Sequence, residues 1–428
     1  MMNEQTKAFV RQHADDDIRK LALHGCKDPL VDMPWALDQI AGRQTARRKL
    51  PSWADKDGIV FPPHLPMEQC SSEATARYKA QVAARLSISN NLLVDLTGGF
   101  GVDFSFMASA FARAVYVERQ EQLCQTAHHN LQVLGIGQTQ VVCCEAETFL
   151  QDFTERASLI FIDPARRDSH GQRTYAISDC TPDVVALLPL LLSKCEAVML
   201  KLSPMLDWRK AVADLGSGHV SEVHIVATDG ECKELLIVIT PTEQAAAPTL
   251  YCTDDQSLTI FKGDELSAQP SLDTAVPEAG HYLYEPSATL MKSGCFAALQ
   301  HRFGVCQIAT NSHLFVSSQQ IADFPGRSFR ILSVTSLNKR ELQQALAGTT
   351  RANIAVRNFP LSAPELRKRL RLSDGGDTYI FATTLADGRH VVIKGVKEVR
   401  EVREVKEVKE VEEVKEVKEV KEVKEVSS

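Results

Sequence analysis

The chain has 428 residues, 44% of them hydrophobic and 24% charged; this is a globular composition, and at about 100–200 residues per domain the length predicts two or three domains. A net charge of −7 and a pI near 6.0 exclude a global pull toward nucleic acid, so such a partner needs a local basic patch. Eleven cysteines form no CxxC pair and no Cys/His ladder, which argues against a metal site and, with the odd count, for a reducing cytosol.

The opening segment MMNEQTKAFVRQHADDDIRK mixes charges where a signal peptide has an apolar centre. The most apolar run, VVALLPLLL, is nine residues long and contains a proline, well short of the roughly 18 of a membrane span. A cytoplasmic protein with no membrane segment is expected. Residues 1–85 read as a helical N-terminal region: KAFVRQHADDDIRKLAL is periodic at three to four residues, and SSEATARYKAQVAARL offers Ser71 or Ser72 as an N-cap. Between them LPSWADKDGIVFPPHLPMEQC reads as an ordered loop.

From residue 91 short apolar runs alternate with helical segments: LLVDL, AVYVE, QVVCCEA, LIFIDP and AVMLKLS. That alternation predicts an α/β domain over 86–241, with a mostly parallel sheet covered on both faces. Thr181-Pro182 reads as an N-cap followed by proline in the first helical turn. VSEVHIVATDGECKELLIVIT then gives two strands joined at Asp229-Gly230 with no room for a helix, so the sheet ends in an antiparallel pair. A boundary is placed after residue 241, where PTEQAAAPTLYCTDDQS turns small and polar. Beyond it a smaller α+β pattern runs over 250–329 and 330–395. From Val396 a repeat of Lys/Arg, Glu and Val fills 396–428; a period of three spirals its valines around a helix, which predicts a solvated tail.

The chemistry starts at NLLVDLTGGFGVDF. Gly98, Gly99 and Gly101 follow a strand that ends at Asp95, and two ligand classes suit such a turn, dinucleotides and S-adenosylmethionine. A dinucleotide fingerprint needs a third glycine or alanine where this chain has Phe104. Asp95 can reach the charged amino-acid end of the other cofactor, while the glycines and Thr97 allow close backbone approach. Glu118 ends the second strand, where a carboxylate accepts both ribose hydroxyls. Glu145 ends the third, within reach of an adenine amine, and Asp163 closes the fourth at the ligand edge of the sheet. Blander readings stay open: strand-end caps for Asp95 and Asp163, solvated strand ends for Glu118 and Glu145, and surface ion pairs for Arg166 and Arg167.

With these residues in order, 70–241 resembles the class I S-adenosylmethionine-dependent methyltransferases. VDLTGGFG matches their first motif, Glu118 the second, Glu145 the third and DPAR the fourth. That resemblance implies a seven-stranded sheet with a terminal antiparallel hairpin. A wider resemblance, carried by EQCSSEATARYKA, DPARR, ECKELL, YEPSATLMKSG, FPGRSFRI and NIAVRNFP…LRKRL, is to bacterial methyltransferases with a THUMP-like domain behind a ferredoxin-like segment. It implies S-adenosyl-L-methionine as cofactor and RNA, commonly tRNA or rRNA, as partner.

The fourth motif narrows the reaction. Enzymes that methylate exocyclic amines often carry Asp/Asn-Pro-Pro-aromatic, and Ala165 and Arg166 replace its last two residues. DPAR is nearer the DPPR of enzymes acting on uridine carbon 5, but those need a cysteine nucleophile, and KLSPML has none. Direct attack by nitrogen or oxygen is expected, with Asp163, Pro164 and Arg166 at the reaction centre and Asp163 orienting the nucleophile or taking its proton. Lys201 is expected to pair with Asp163 or meet substrate. Arg167, Arg357, Arg367, Lys368 and Arg369 are candidate RNA contacts. Two other functions remain: a catalytically silent binding protein, and a methyltransferase of protein or small molecules.

Overall fold

The computed structural model describes residues 3–166, 177–243, 246–255, 257–269 and 274–398. The chain divides into two units: Met1–Pro270 with Pro286–Arg302, and Ser271–Glu285 with the residues from Phe303 onward.

The first unit opens with six helices, α1 (Glu4–Gln12), α2 (Ile18–His24), α3 (Met33–Lys49), α4 (Pro51–Ala54), α5 (His64–Gln69) and α6 (Glu73–Arg85). Side-chain caps start four of them: Asn3, Asp17, Asp32 and Ser72 each accept from a backbone N–H in the first turn. Ser72 is thus the cap of α6, and the expected loop between the helical stretches contains the short α4 and α5. Trp53, Phe61 and Phe100 close a small core here, with Trp53 edge-on to Phe100 at 5.0 Å.

Strand and helix then alternate: β1 (Leu92–Asp95), α7 (Val102–Ala108), β2 (Arg113–Glu118), α8 (Glu121–Val133), β3 (Thr139–Cys143), α9 (Ala146–Asp152), β4 (Ala157–Ile162), the two-residue strands β5 (Ala165–Arg166) and β6 (Cys180–Thr181), α10 (Val184–Lys194), β7 (Cys195–Leu202), α11 (Trp208–Asp214), β8 (Val220–Thr228) and β9 (Glu231–Ile239). Pairing is parallel among β3, β2, β1, β4 and β7, and antiparallel from β7 to β9 and β9 to β8. Leu93, Phe104, Tyr116, Phe161 and Met199 lie in the main core. The crossovers right of β1 and left of it diverge, so the carboxyl ends of β1 and β4 open onto a crevice.

Three expectations need correction. Among the described residues the sheet has nine strands, in the order β11-β10-β8-β9-β7-β4-β1-β2-β3, because β10 (Thr249–Thr253) pairs in parallel with β8 and carries β11 (Leu258–Phe261) beside it. The boundary expected after residue 241 is therefore only a loop; the chain returns to the same sheet because the apolar face of Leu250 and Cys252 is buried there. Helix α10 is capped by Asp183, which accepts from Ala186 N, while Thr181 belongs to β6.

Helices α12 (Ala288–Ser293) and α13 (Phe296–Phe303) group with the first unit up to Arg302, although they lie between strands of the second. That second unit holds a sheet of β12 (Tyr282–Pro286), β13 (Cys306–Gln307), β14 (Phe315–Ser317), β15 (Gly326–Thr335), β16 (Asn353–Arg357), β17 (Thr378–Thr384) and β18 (His390–Lys397), with α14 (Lys339–Ala345) and α15 (Ala363–Leu370). Its order is β13-β14-β12-β15-β18-β17-β16. Phe329, Ile331, Phe381 and Ile393 form its main core. Val396 and Lys397 pair with Arg330 and Phe329, so the tail expected from Val396 starts too early; residues 399–428 lie outside the described residues.

Candidate active site

A cleft of about 640 Å³ opens at the carboxyl ends of β1, β2 and β4, within the range of small-molecule sites. The glycine turn forms its floor. Gly99 and Gly101 have φ of 53° and 84°, a region that costs other residues strain. Gly98 has a different reason: a Cβ there would stand 2.1 Å from the Tyr116 ring. Tyr116 in turn donates its hydroxyl to Gly99 O at 2.5 Å, pinning the turn to β2.

Asp95 is 1% exposed and accepts from Thr97 N at 2.9 Å. Burial pushes its pKa well above the ordinary aspartate value; the Thr97 amide offsets this in part, and Asp103, Asp163 and Glu118 add to it. No lysine, arginine or histidine among the described residues pairs with it. Glu118 accepts from Gly99 N at 3.0 Å and from Gln120 N at 2.9 Å, so its carboxylate is fixed beside the turn. Glu145 is exposed at the start of α9, on the cleft rim. Asp163 donates its backbone N–H to Thr97 Oγ1 at 2.7 Å, and its side chain accepts from Lys201. Pro164 is buried beside it and lines the cleft. The structure thus brings Asp95, Thr97, Gly98, Gly99, Gly101, Glu118, Glu145, Asp163, Pro164 and Lys201 to one cleft.

Arg166 pairs through its backbone with Cys180 in the β5–β6 ribbon. Its side chain and all of Arg167 lie outside the described residues.

Sequence reasoning missed a set of buried charges beside the cleft. Lys79, on α6, is 0% exposed and donates to Glu234 Oε1 and Oε2 at 2.6 and 2.7 Å. It lies 3.2 Å from Asp103, which accepts from Ser71 Oγ at 2.7 Å. Lys201 stands 3.9 Å from the same Asp103. Burial works against the charge of Lys201, but Asp163, Asp103 and Glu234 outweigh it and hold its pKa above the ordinary lysine value. The quoted stretches SSEATARYKA and ECKELL contained Ser71, Lys79 and Glu234 all along. Nothing in a lone sequence says that a lysine in one meets a glutamate 155 positions away in the other.

The four candidate RNA contacts of the second unit, Arg357, Arg367, Lys368 and Arg369, have different surroundings. Arg357 donates to Glu285 at 2.9 Å, and Arg327 holds the same carboxylate, which is 4% exposed. Arg367 pairs with Asp374. Lys368 and Arg369 are exposed on α15, a helix set by a capping box of Ser362 and Glu365.

A family model described as a ferredoxin-like domain matches residues 282–325, and one described as THUMP domain-like matches 326–395. No curated protein matches the chain. Among solved structures, a protein of Porphyromonas gingivalis W83 proposed as a methyltransferase matches at 31% identity and a TM-score of 0.81, covering 92% of this chain and 98% of that one. An rRNA methylase from Streptococcus thermophilus matches at 16% identity and a TM-score of 0.31, covering 39% of this chain and 96% of that one. A Streptococcus mutans protein proposed as a methyltransferase, solved in complex with SAH, matches at 15% identity and a TM-score of 0.30, covering 38% and 95%. The near-complete match to the Porphyromonas protein, the strand order and the two domain matches agree: the chain belongs to the class I methyltransferase family that carries a C-terminal THUMP-like domain.

Proposed function

We propose that the protein uses S-adenosylmethionine to methylate RNA by direct attack of a nitrogen or oxygen nucleophile. One observation carries the cofactor: Asp95 is a buried carboxylate beside a glycine turn, among other carboxylates and with no cationic partner in the described residues. Such a group is costly unless a cation arrives, and the cofactor's amino-acid end carries an ammonium. The missing side chains of Gly99 and Gly101 suit close backbone approach, and Glu118 and Glu145 would take the ribose and adenine. When bound, the cofactor supplies an electrophilic methyl group.

The protein's own contribution is position. Thr97 fixes the Asp163 backbone and Lys201 its carboxylate, so Asp163 orients the nucleophile within the cleft. The THUMP-like match supports RNA as the substrate, with Lys368 and Arg369 as phosphate contacts. No described helix is long and apolar enough to cross a membrane. All eleven cysteines are unbridged, which supports a cytoplasmic location.

Calorimetric titration of S-adenosylmethionine into the wild type and Asp95→Ala tests the first step. Binding that the substitution abolishes is expected. A well-folded wild type that binds no cofactor would remove the enzyme reading.

A further inference from the structure

Five charged side chains alternate in sign from the buried interior to the wall of the cleft: Glu234, Lys79, Asp103, Lys201 and Asp163, the last three lining it. Successive members are ion-paired, at 2.6 Å, 3.2 Å and 3.9 Å for the first three links, with Lys201 on Asp163 as the last. The inner end is sealed, with Glu234 and Lys79 side chains 3% and 0% exposed; the outer end faces the cleft, with Lys201 and Asp163 at 12% and 37%. What meets the substrate is therefore an ammonium beside a carboxylate.

That pair has a definite demand. Lysine offers three N–H donors and no acceptor, and an ionised carboxylate only accepts. A group seated against both must accept and donate at once. An exocyclic base amine offers donors and a delocalised lone pair, so against Lys201 it sets donor against donor. A hydroxyl fits: its oxygen accepts from Lys201, its O–H donates to Asp163, and a second lone pair is left for attack. Within an RNA chain the hydroxyl available is the ribose 2′-OH.

We infer that Lys201 and Asp163 seat a ribose 2′-hydroxyl as the nucleophile, making the protein an RNA 2′-O-methyltransferase. This rests on the proposed function and sharpens it. The hydroxyl oxygen bonds to the methyl carbon while the carbon–sulfur bond breaks, leaving its electron pair on sulfur. The hydroxyl proton passes to Asp163 and then to water. Lys201, held protonated by its carboxylate neighbours, donates a hydrogen bond throughout and is no base. Lys79, Glu234 and Ser71 are positioning residues that fix Asp103 and, through it, the Lys201 ammonium.

The test incubates the full chain with tritiated S-adenosylmethionine and total RNA from a strain lacking the protein, then hydrolyses the RNA with alkali. A 2′-O-methyl group blocks cleavage of the adjacent phosphodiester, so label is expected in alkali-stable dinucleotides. Label in mononucleotides marks a base and overturns the inference while leaving RNA methylation standing. Cofactor binding with no transfer to RNA overturns the RNA reading and the inference with it. In Lys201→Met, transfer should fall about 100-fold or more while calorimetric cofactor affinity stays within about threefold; Lys201→Arg, which keeps the charge, should recover part of the loss. Undiminished transfer by a folded Lys201→Met would refute the role given to Lys201.

Discussion

Lys79→Ala should destabilise the first unit severely. Lys79 is fully buried, and its ammonium is the nearest cation to Glu234, whose side chain is 3% exposed. Removing one partner of such a pair leaves an uncompensated buried charge and costs about 3–5 kcal/mol, a large part of the ~5–15 kcal/mol that holds a typical domain together. At about 2–4 °C per kcal/mol for a domain of this size, the melting point should drop by about 6–20 °C. The deficit should depend on pH. Burial already raises the Glu234 pKa above its ordinary 4.5, with Lys79 and Lys201 opposing that rise. Without Lys79 it rises further, and a carboxyl whose folded pKa lies above its unfolded one loses stability as pH climbs through the folded value. The loss should thus be small near the ordinary glutamate pKa and full at pH 8. Lys79→Met with Glu234→Gln removes both charges and should restore most of the stability. Thermal melts of the wild type, the single variants and the double variant across pH decide it. A pH-independent loss, a loss under about 1 kcal/mol, or a double variant as weak as the single would refute the reasoning.

Gly98→Ala should force the Tyr116 ring off its seat, with a cost of about 1–3 kcal/mol, and weaken cofactor binding measured by calorimetry. Asp95→Asn should make the cofactor-free protein melt higher at pH 8, because burial raises the Asp95 pKa and ionising it costs stability; the gain should shrink as pH falls toward the ordinary aspartate value. The same variant should bind the cofactor about 10–100-fold less tightly, as expected for a lost charged hydrogen bond. Arg367→Glu, Lys368→Glu and Arg369→Glu together should weaken binding of total RNA in filter assays, flatten its salt dependence, and leave cofactor binding unchanged.

The first unit's alternating strands were legible because each is a short apolar run separated from the next by a helical segment or a turn. Asp95, Glu118 and Asp163 were placed at strand ends by the same rule, and the structure sets all three at the cleft. The pairing of Lys201 with Asp163 followed from adjacent strands. Lys79 was hidden: on α6 it reads as one of several polar residues, and only the return of β9 beneath that helix buries it. The return of β10 was hidden likewise, because the polar stretch before it looks like any linker and parallel pairing with β8 leaves no local trace. Arg357 was a candidate RNA contact, yet it sits on β16, where Glu285 of a distant strand claims it.

The position of β18 has a consequence for synthesis. It is the last described strand of the chain, yet it lies in the middle of its sheet, with β15 on one side and β17 on the other. A nascent chain emerging from the ribosome presents both neighbours with open edges until residues 390–397 follow, and open edges invite pairing with other chains. The second unit therefore cannot complete its sheet until residues 390–397 have been made. A stop codon just before residue 390 would leave that sheet in two halves.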